Sequence, residues 1–65
     1  MKPNAIKAAL VRKGISQRSL ARKAKVSDSL ISAVIKGLRT EGDVAKWAQW
    51  CIAEELGQPV AKVFP

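Results

Sequence analysis

Gln17-Arg18-Ser19-Leu20-Ala21-Arg22-Lys23-Ala24-Lys25-Val26-Ser27-Asp28-Ser29-Leu30-Ile31-Ser32-Ala33-Val34-Ile35-Lys36-Gly37 is the stretch that decides the fold. Just ahead of it, Ser16 is a good helix N-cap, because its hydroxyl accepts from an amide of the first turn. Ile15 precedes that cap and Leu20 is the fourth residue after it, the spacing of a hydrophobic staple. Ser27 repeats the signal, with Val26 before it and Ile31 after. The stretch therefore predicts two short helices joined by a tight turn. Leu20, Ala21 and Ala24 face inward from the first, and Ile31, Val34 and Ile35 from the second. Ala21 has to be small where the two helices cross, and Gly37 stops the second. The outward side of that second helix is Asp28, Ser29, Ser32, Ala33 and Lys36, all short or basic. Such a sparsely decorated helix can sit deep in the major groove of DNA.

Outward from this pair, the chain reads as further helices. A helix is expected from Pro3 or Asn4 to Lys13, with Ile6, Ala9 and Leu10 at helical spacing and Gly14 ending it. Downstream, Thr40 and Asp43 have capping-box-like spacing, which predicts a helix from near Thr40 to Leu56, ended by Gly57. Its core stripe is expected to be Val44, Ala45, Ala48, Ile52 and Leu56. Pro59 suits the first turn of a short last helix through Phe64. Aromatic residues are few and no alternating run or Asn-Gly turn is present, so strands are not expected. The expected fold class is all-α: a compact bundle of about five short helices, one domain over residues 1–65.

The formal net charge is +7. Residues 1–40 carry ten lysines and arginines against the single acid Asp28, while residues 41–65 carry two lysines against four acids. One part of the molecule is built to meet a polyanion and the other is not. The lone Cys51 permits no internal disulfide, which fits a reducing cytosol. Without histidine, and with one cysteine, no zinc set can be assembled. No cofactor, metal or small-molecule ligand is expected. Charges interrupt every apolar run, so no membrane span is expected, and the start Met1-Lys2-Pro3-Asn4 does not read as a signal peptide. The chain reads as a complete small protein of the bacterial cytosol or nucleoid. With no histidine or tyrosine and few acids, mostly at helix caps or adjacent to one another, it does not read as an enzyme.

The stretch resembles the helix-turn-helix of the phage lambda-repressor/Cro-like (Xre-type) family. The resemblance rests on Gln17 opening the first helix of the pair, Ala21, Val26-Ser27 at the turn, Ile31-Ser32, Val34, and Gly37 at the close. Ile52-Ala53-Glu54-Glu55-Leu56-Gly57, then Val60, Val63 and Phe64, look like that family's closing helices, and the chain also looks similar to small Ner-type phage regulators. Two departures stand out. Lys25 occupies the turn where the family usually has glycine, so either Lys25 accepts a left-handed conformation costing roughly 1 kcal/mol or the turn differs. Residues 38–50, which include both tryptophans, do not match closely.

The resemblance implies a sequence-specific regulator of transcription that reads double-stranded DNA with residues 28–36, in the manner of a phage or prophage repressor. Two copies would occupy a palindromic operator with half-sites one turn apart. Gln17, at a helix N-terminus, is implied to contact the DNA backbone. The residues expected to touch bases are Ser27, Asp28, Ser29, Ser32 and Ala33; for Ser27 and Asp28, capping is the competing role. Ala33 suits a thymine methyl and Asp28 a cytosine amino group. Arg18, Lys25, Lys36 and Arg39 are expected at phosphates.

Trp50 lies roughly opposite the core stripe of its helix and Trp47 well off it. Exposed tryptophan is typical of interface hot spots. Trp47, Trp50 and Cys51 are therefore expected to pair two subunits, or, in a second reading, to engage a different protein as an antitoxin or adaptor would. Cys51 itself reads as a small hydrophobe.

Overall fold

In a computed structural model that describes residues 1–65, the chain forms five helices and no strand: α1 Pro3–Arg12, α2 Gln17–Ala24, α3 Asp28–Ile35, α4 Asp43–Leu56 and α5 Val60–Val63. The all-α expectation holds.

Both serine caps form. The Ser16 hydroxyl oxygen accepts from the Ser19 amide at 3.0 Å, and the Ser19 hydroxyl donates back to the Ser16 carbonyl at 2.9 Å. Ser27 accepts from the Leu30 amide at 3.1 Å. At the C-terminal ends, α1 to α4 close alike. In each, an amide just past the helix reaches back five residues: Ile15 to Leu10, Val26 to Ala21, Leu38 to Ala33 and Gln58 to Ala53, at 2.9–3.1 Å. That closure needs one left-handed residue per helix. Gly14, Gly37 and Gly57 supply it for three of them, and Lys25 supplies it for α2 with φ 59° and ψ 43°. Lys25 thus accepts the left-handed conformation.

Two sequence expectations fail around α4. Its N-cap is Gly42, with no side-chain capping bond, and not Thr40. Gly42 sits at φ 93°, ψ 158°, far from helical values, so the chain enters the helix only at Asp43. The Thr40–Asp43 spacing is therefore not a capping box. Val44 is 53% exposed and Ala53 is buried in its place. The buried stripe centres on Ala45, Ile52 and Leu56, and at 100° per residue Val44 falls about a quarter-turn from that centre, in the first turn of the helix. At the far end, Pro59 is the N-cap of α5, one position before the expected first turn, and Phe64 follows the helix.

One cluster forms the core. Ile6 and Leu10 of α1, Leu20 and Ala21 of α2, and Ile31, Val34 and Ile35 of α3 meet Ala45, Ala48, Ile52, Ala53 and Leu56 of α4 and Val63 of α5. The staple residues Ile15 and Val26 pack against it, half-buried. Alanines at 21, 45, 48 and 53 let α2 and α4 approach their neighbours closely. The two ends of the chain also meet: the Met1 ammonium donates to the carbonyls of Val63 at 2.8 Å and Lys62 at 3.2 Å.

Candidate nucleic-acid interface

With Ile31, Val34 and Ile35 committed to the core, the helical period turns Ser29, Ser32, Ala33 and Lys36 away from it. Ser29 and Lys36 are exposed, and Ser32 and Ala33 are half-buried. No bulky side chain stands on this strip. Beside it runs an open groove between α3 and the start of α4. Leu30, Ala33, Leu38 and Val44 give it an apolar floor, Ser27 and Ser29 contribute hydroxyls, and Lys25 and Arg39 bring the cations. No acidic side chain lines it. Leu38 is 75% exposed. Its place on this surface was not read from the sequence, because residues 38–42 carry no periodic pattern that would assign them a face.

The candidate base-contacting residues do not share one environment. Ser29, Ser32 and Ala33 lie together on the outward strip. Ser27 already spends a lone pair on the Leu30 amide, while its hydroxyl proton remains free to donate. Asp28 faces the other flank of α3, where one carboxylate oxygen lies 3.6 Å from Nε of Arg18. Both side chains of that pair are well exposed, so the bridge adds little stability. Its effect is electrostatic: the single acid of the first three helices stands beside a cation. Arg18 thereby reaches toward α3. Gln17 is the first residue of α2, half-buried, and the Ser16 cap leaves the amides of the first turn's opening residues without helical partners. Lys25 and Arg39 border the groove, and Lys36 sits at the C-terminal end of α3.

Trp47, Trp50 and Cys51 form a separate face. The two indoles stack with centroids 5.6 Å apart and planes 11° from parallel, and they are 47% and 48% exposed. Trp47 also donates from Nε1 to the Ala24 carbonyl at 2.9 Å. This bond satisfies an end carbonyl of α2 immediately before the strained Lys25, so Trp47 braces the turn that sets α3 in place. Sequence reading missed this role, since nothing local to Trp47 announces a partner 23 residues away.

Cys51 is half-buried beside the indoles, and Lys23 and Glu55 complete the same shallow hollow over Leu20. Burial, with help from the Glu55 and Glu54 charges, pushes the Cys51 thiol above its ordinary pKa. The hydrogen bond and charge of Glu55 likewise raise Lys23. Arg18 pairs with Asp28 of α3 and Lys23 with Glu55 of α4. Five residues apart on α2, these two cations leave the helix about 140° from one another. The Asp28 flank of α3 and the tryptophan face therefore lie on different sides of α2.

No group of three or more His, Cys, Asp or Glu side chains is placed to hold a metal ion. No helix is long and apolar enough to cross a membrane.

Over residues 1–65 the chain matches the family described as "Winged helix-turn-helix DNA-binding". No curated protein and no solved structure matches it.

Proposed function

The chain belongs to the winged helix-turn-helix DNA-binding family, and from that footing we propose that it regulates transcription by reading a specific DNA sequence with α3. The observation that carries this reading is the outward strip of Ser29, Ser32, Ala33 and Lys36, free of bulky side chains and flanked by a groove with Lys25 and Arg39 on it. In the proposed complex Ser29, Ser32 and Ala33 touch base edges, and Ser27 contributes its free hydroxyl proton. Lys25, Lys36 and Arg39 hold phosphates, and Gln17 offers its side chain and the N-terminus of α2 to the backbone. Asp28 and Arg18 act as a pair, Arg18 moving to a phosphate when Asp28 accepts from a base.

The likeness of residues 17–37 to Xre-type and Ner-type helix-turn-helices supports a repressor or Cro-like switch of a phage or prophage, acting in the bacterial cytosol or nucleoid. Residues 1–65 work as one DNA-binding domain, two copies taking a palindromic operator and meeting through Trp47, Trp50 and Cys51. A second reading, an antitoxin or adaptor that engages another protein, is favoured by the same half-exposed indole pair.

Selection from random duplexes tests the DNA reading. Enrichment of two inverted half-sites about 10 base pairs apart centre to centre is expected. Ser29→Ala and Ser32→Ala should change which bases are preferred, whereas Lys36→Ala should weaken all sequences alike. Failure to enrich any sequence, or serine variants with unchanged preference, would refute it.

A further inference from the structure

We infer that the tryptophan face is self-complementary: two copies meet on it about a two-fold axis, and the Lys23–Glu55 ion pair is exchanged between them. The inference rests on the two-copy part of the reading above and names the residues that make the contact.

Three observations carry it. The face has an apolar centre, where Trp47 and Trp50 are each about half exposed over Leu20 and beside Cys51. Aromatic anchors of this kind dominate binding energies at interfaces. It also carries both signs of charge, Lys23 on α2 and Glu55 on α4, already close enough to bond within one chain. A two-fold contact sets the same patch against itself, so residue i meets j and j meets i. A patch with one cation and one anion at its rim satisfies that rule: Lys23 of each copy turns to the partner's Glu55, and two bridges form where two were broken. Lys23 is free to turn, its side chain being 73% exposed.

The third observation is the charge map. Two molecules of +7 repel one another over most of their surfaces. Residues 41–65 are the acid-rich part of the chain, and Glu54 and Glu55 lie beside this hollow. A second copy can therefore approach here against the least repulsion.

The test uses Lys23→Glu and Glu55→Lys, neither of which alters a residue placed at DNA. Each variant alone puts like charges across the contact twice, and sedimentation should show self-association weakened at least about tenfold, a change of roughly 1.4 kcal/mol. In an equimolar mixture both bridges are opposite in sign again. The mixture should therefore associate as a heterodimer at close to wild-type strength. An ion pair confined within each chain cannot produce that rescue, and the rescue shows that both variants fold. A mixture no stronger than its components overturns the inference. So does a wild-type chain that stays monomeric at the highest attainable concentration, which would leave the face to a different protein. Binding of the wild-type chain to a single half-site separates the two readings: its retention alongside either failure removes the pairing alone, and its absence removes the DNA reading.

Discussion

Lys25 is the only non-glycine residue at positive φ, in a position that three other helix ends fill with glycine. A left-handed lysine costs roughly 1–2 kcal/mol relative to right-handed backbone. Glycine would lift that cost but lose about 0.5–1 kcal/mol of its own in ordering entropy. Lys25→Gly should therefore stabilise the chain by about 0.5–1 kcal/mol, raising the melting temperature by several degrees. The same change removes a cation from the groove beside α3, so DNA affinity should fall and the log–log salt slope should lose about one unit. Thermal melts and titrations at graded salt read the two effects separately; a variant that melts lower would show that the turn stores no strain. At this scale the caps were legible in the sequence because their chemistry is local: Ser16 and Ser27 find acceptor roles three residues away. Lys25 was legible only as an alternative, since choosing between a strained turn and a different turn depends on what packs above it.

What packs above it is α4. The Trp47 indole bonded to the Ala24 carbonyl ties the middle of that helix to the end of α2. Trp47→Phe keeps most of the packing and deletes the donor, so stability should drop by about 1 kcal/mol, the ordinary net value of one hydrogen bond. Exchange of the Val26 amide, which closes α2 onto Ala21, should quicken. Trp50→Phe removes no such bond and should leave that amide unchanged; equal acceleration in both variants would rule out the brace. Helices α2 and α3 were readable to within a residue or so because a serine cap and a staple agreed at each start, and α1 because its apolar period and Gly14 agreed. The start of α4 was not, because Thr40 and Asp43 imitate a capping box while Gly42 between them takes a conformation that breaks the helical path. Val44 was misplaced for a related reason: a helical wheel gives angles, but where the buried arc is centred depends on how α4 is rolled against α2 and α3.

For the molecule as a whole, the division of charge along the sequence carries over to the surface only in part, since Glu41 lies with Leu38 and Arg39 at the edge of the groove. The base-rich first three helices present α3 and its groove, and the acid-rich fourth supplies Glu55 to the tryptophan face. Two copies that neutralise roughly 6–8 phosphates on a full operator should show a log–log salt slope of about −5 to −7, and one copy on a half-site about half of that. A flat response in titrations from low to moderate salt would contradict a basic reading surface. The outward side of α3 was legible from the helical period, but the pairing of Arg18 with Asp28, and the exposure of Leu38 and Val44 beside α3, were not, because they depend on how helices dock. The family's description speaks of a wing, yet residues 37–42, which follow α3, connect to α4 without a strand. The indole bond to α2 has an optical consequence. Trp47 and Trp50 are the only tryptophans and the chain has no tyrosine, so ultraviolet emission comes almost wholly from one stacked pair seated on the strut between α4 and α2. Operator titration should shift that emission with no dye attached, and Trp50→Phe should isolate the signal of the strut from that of the outer ring.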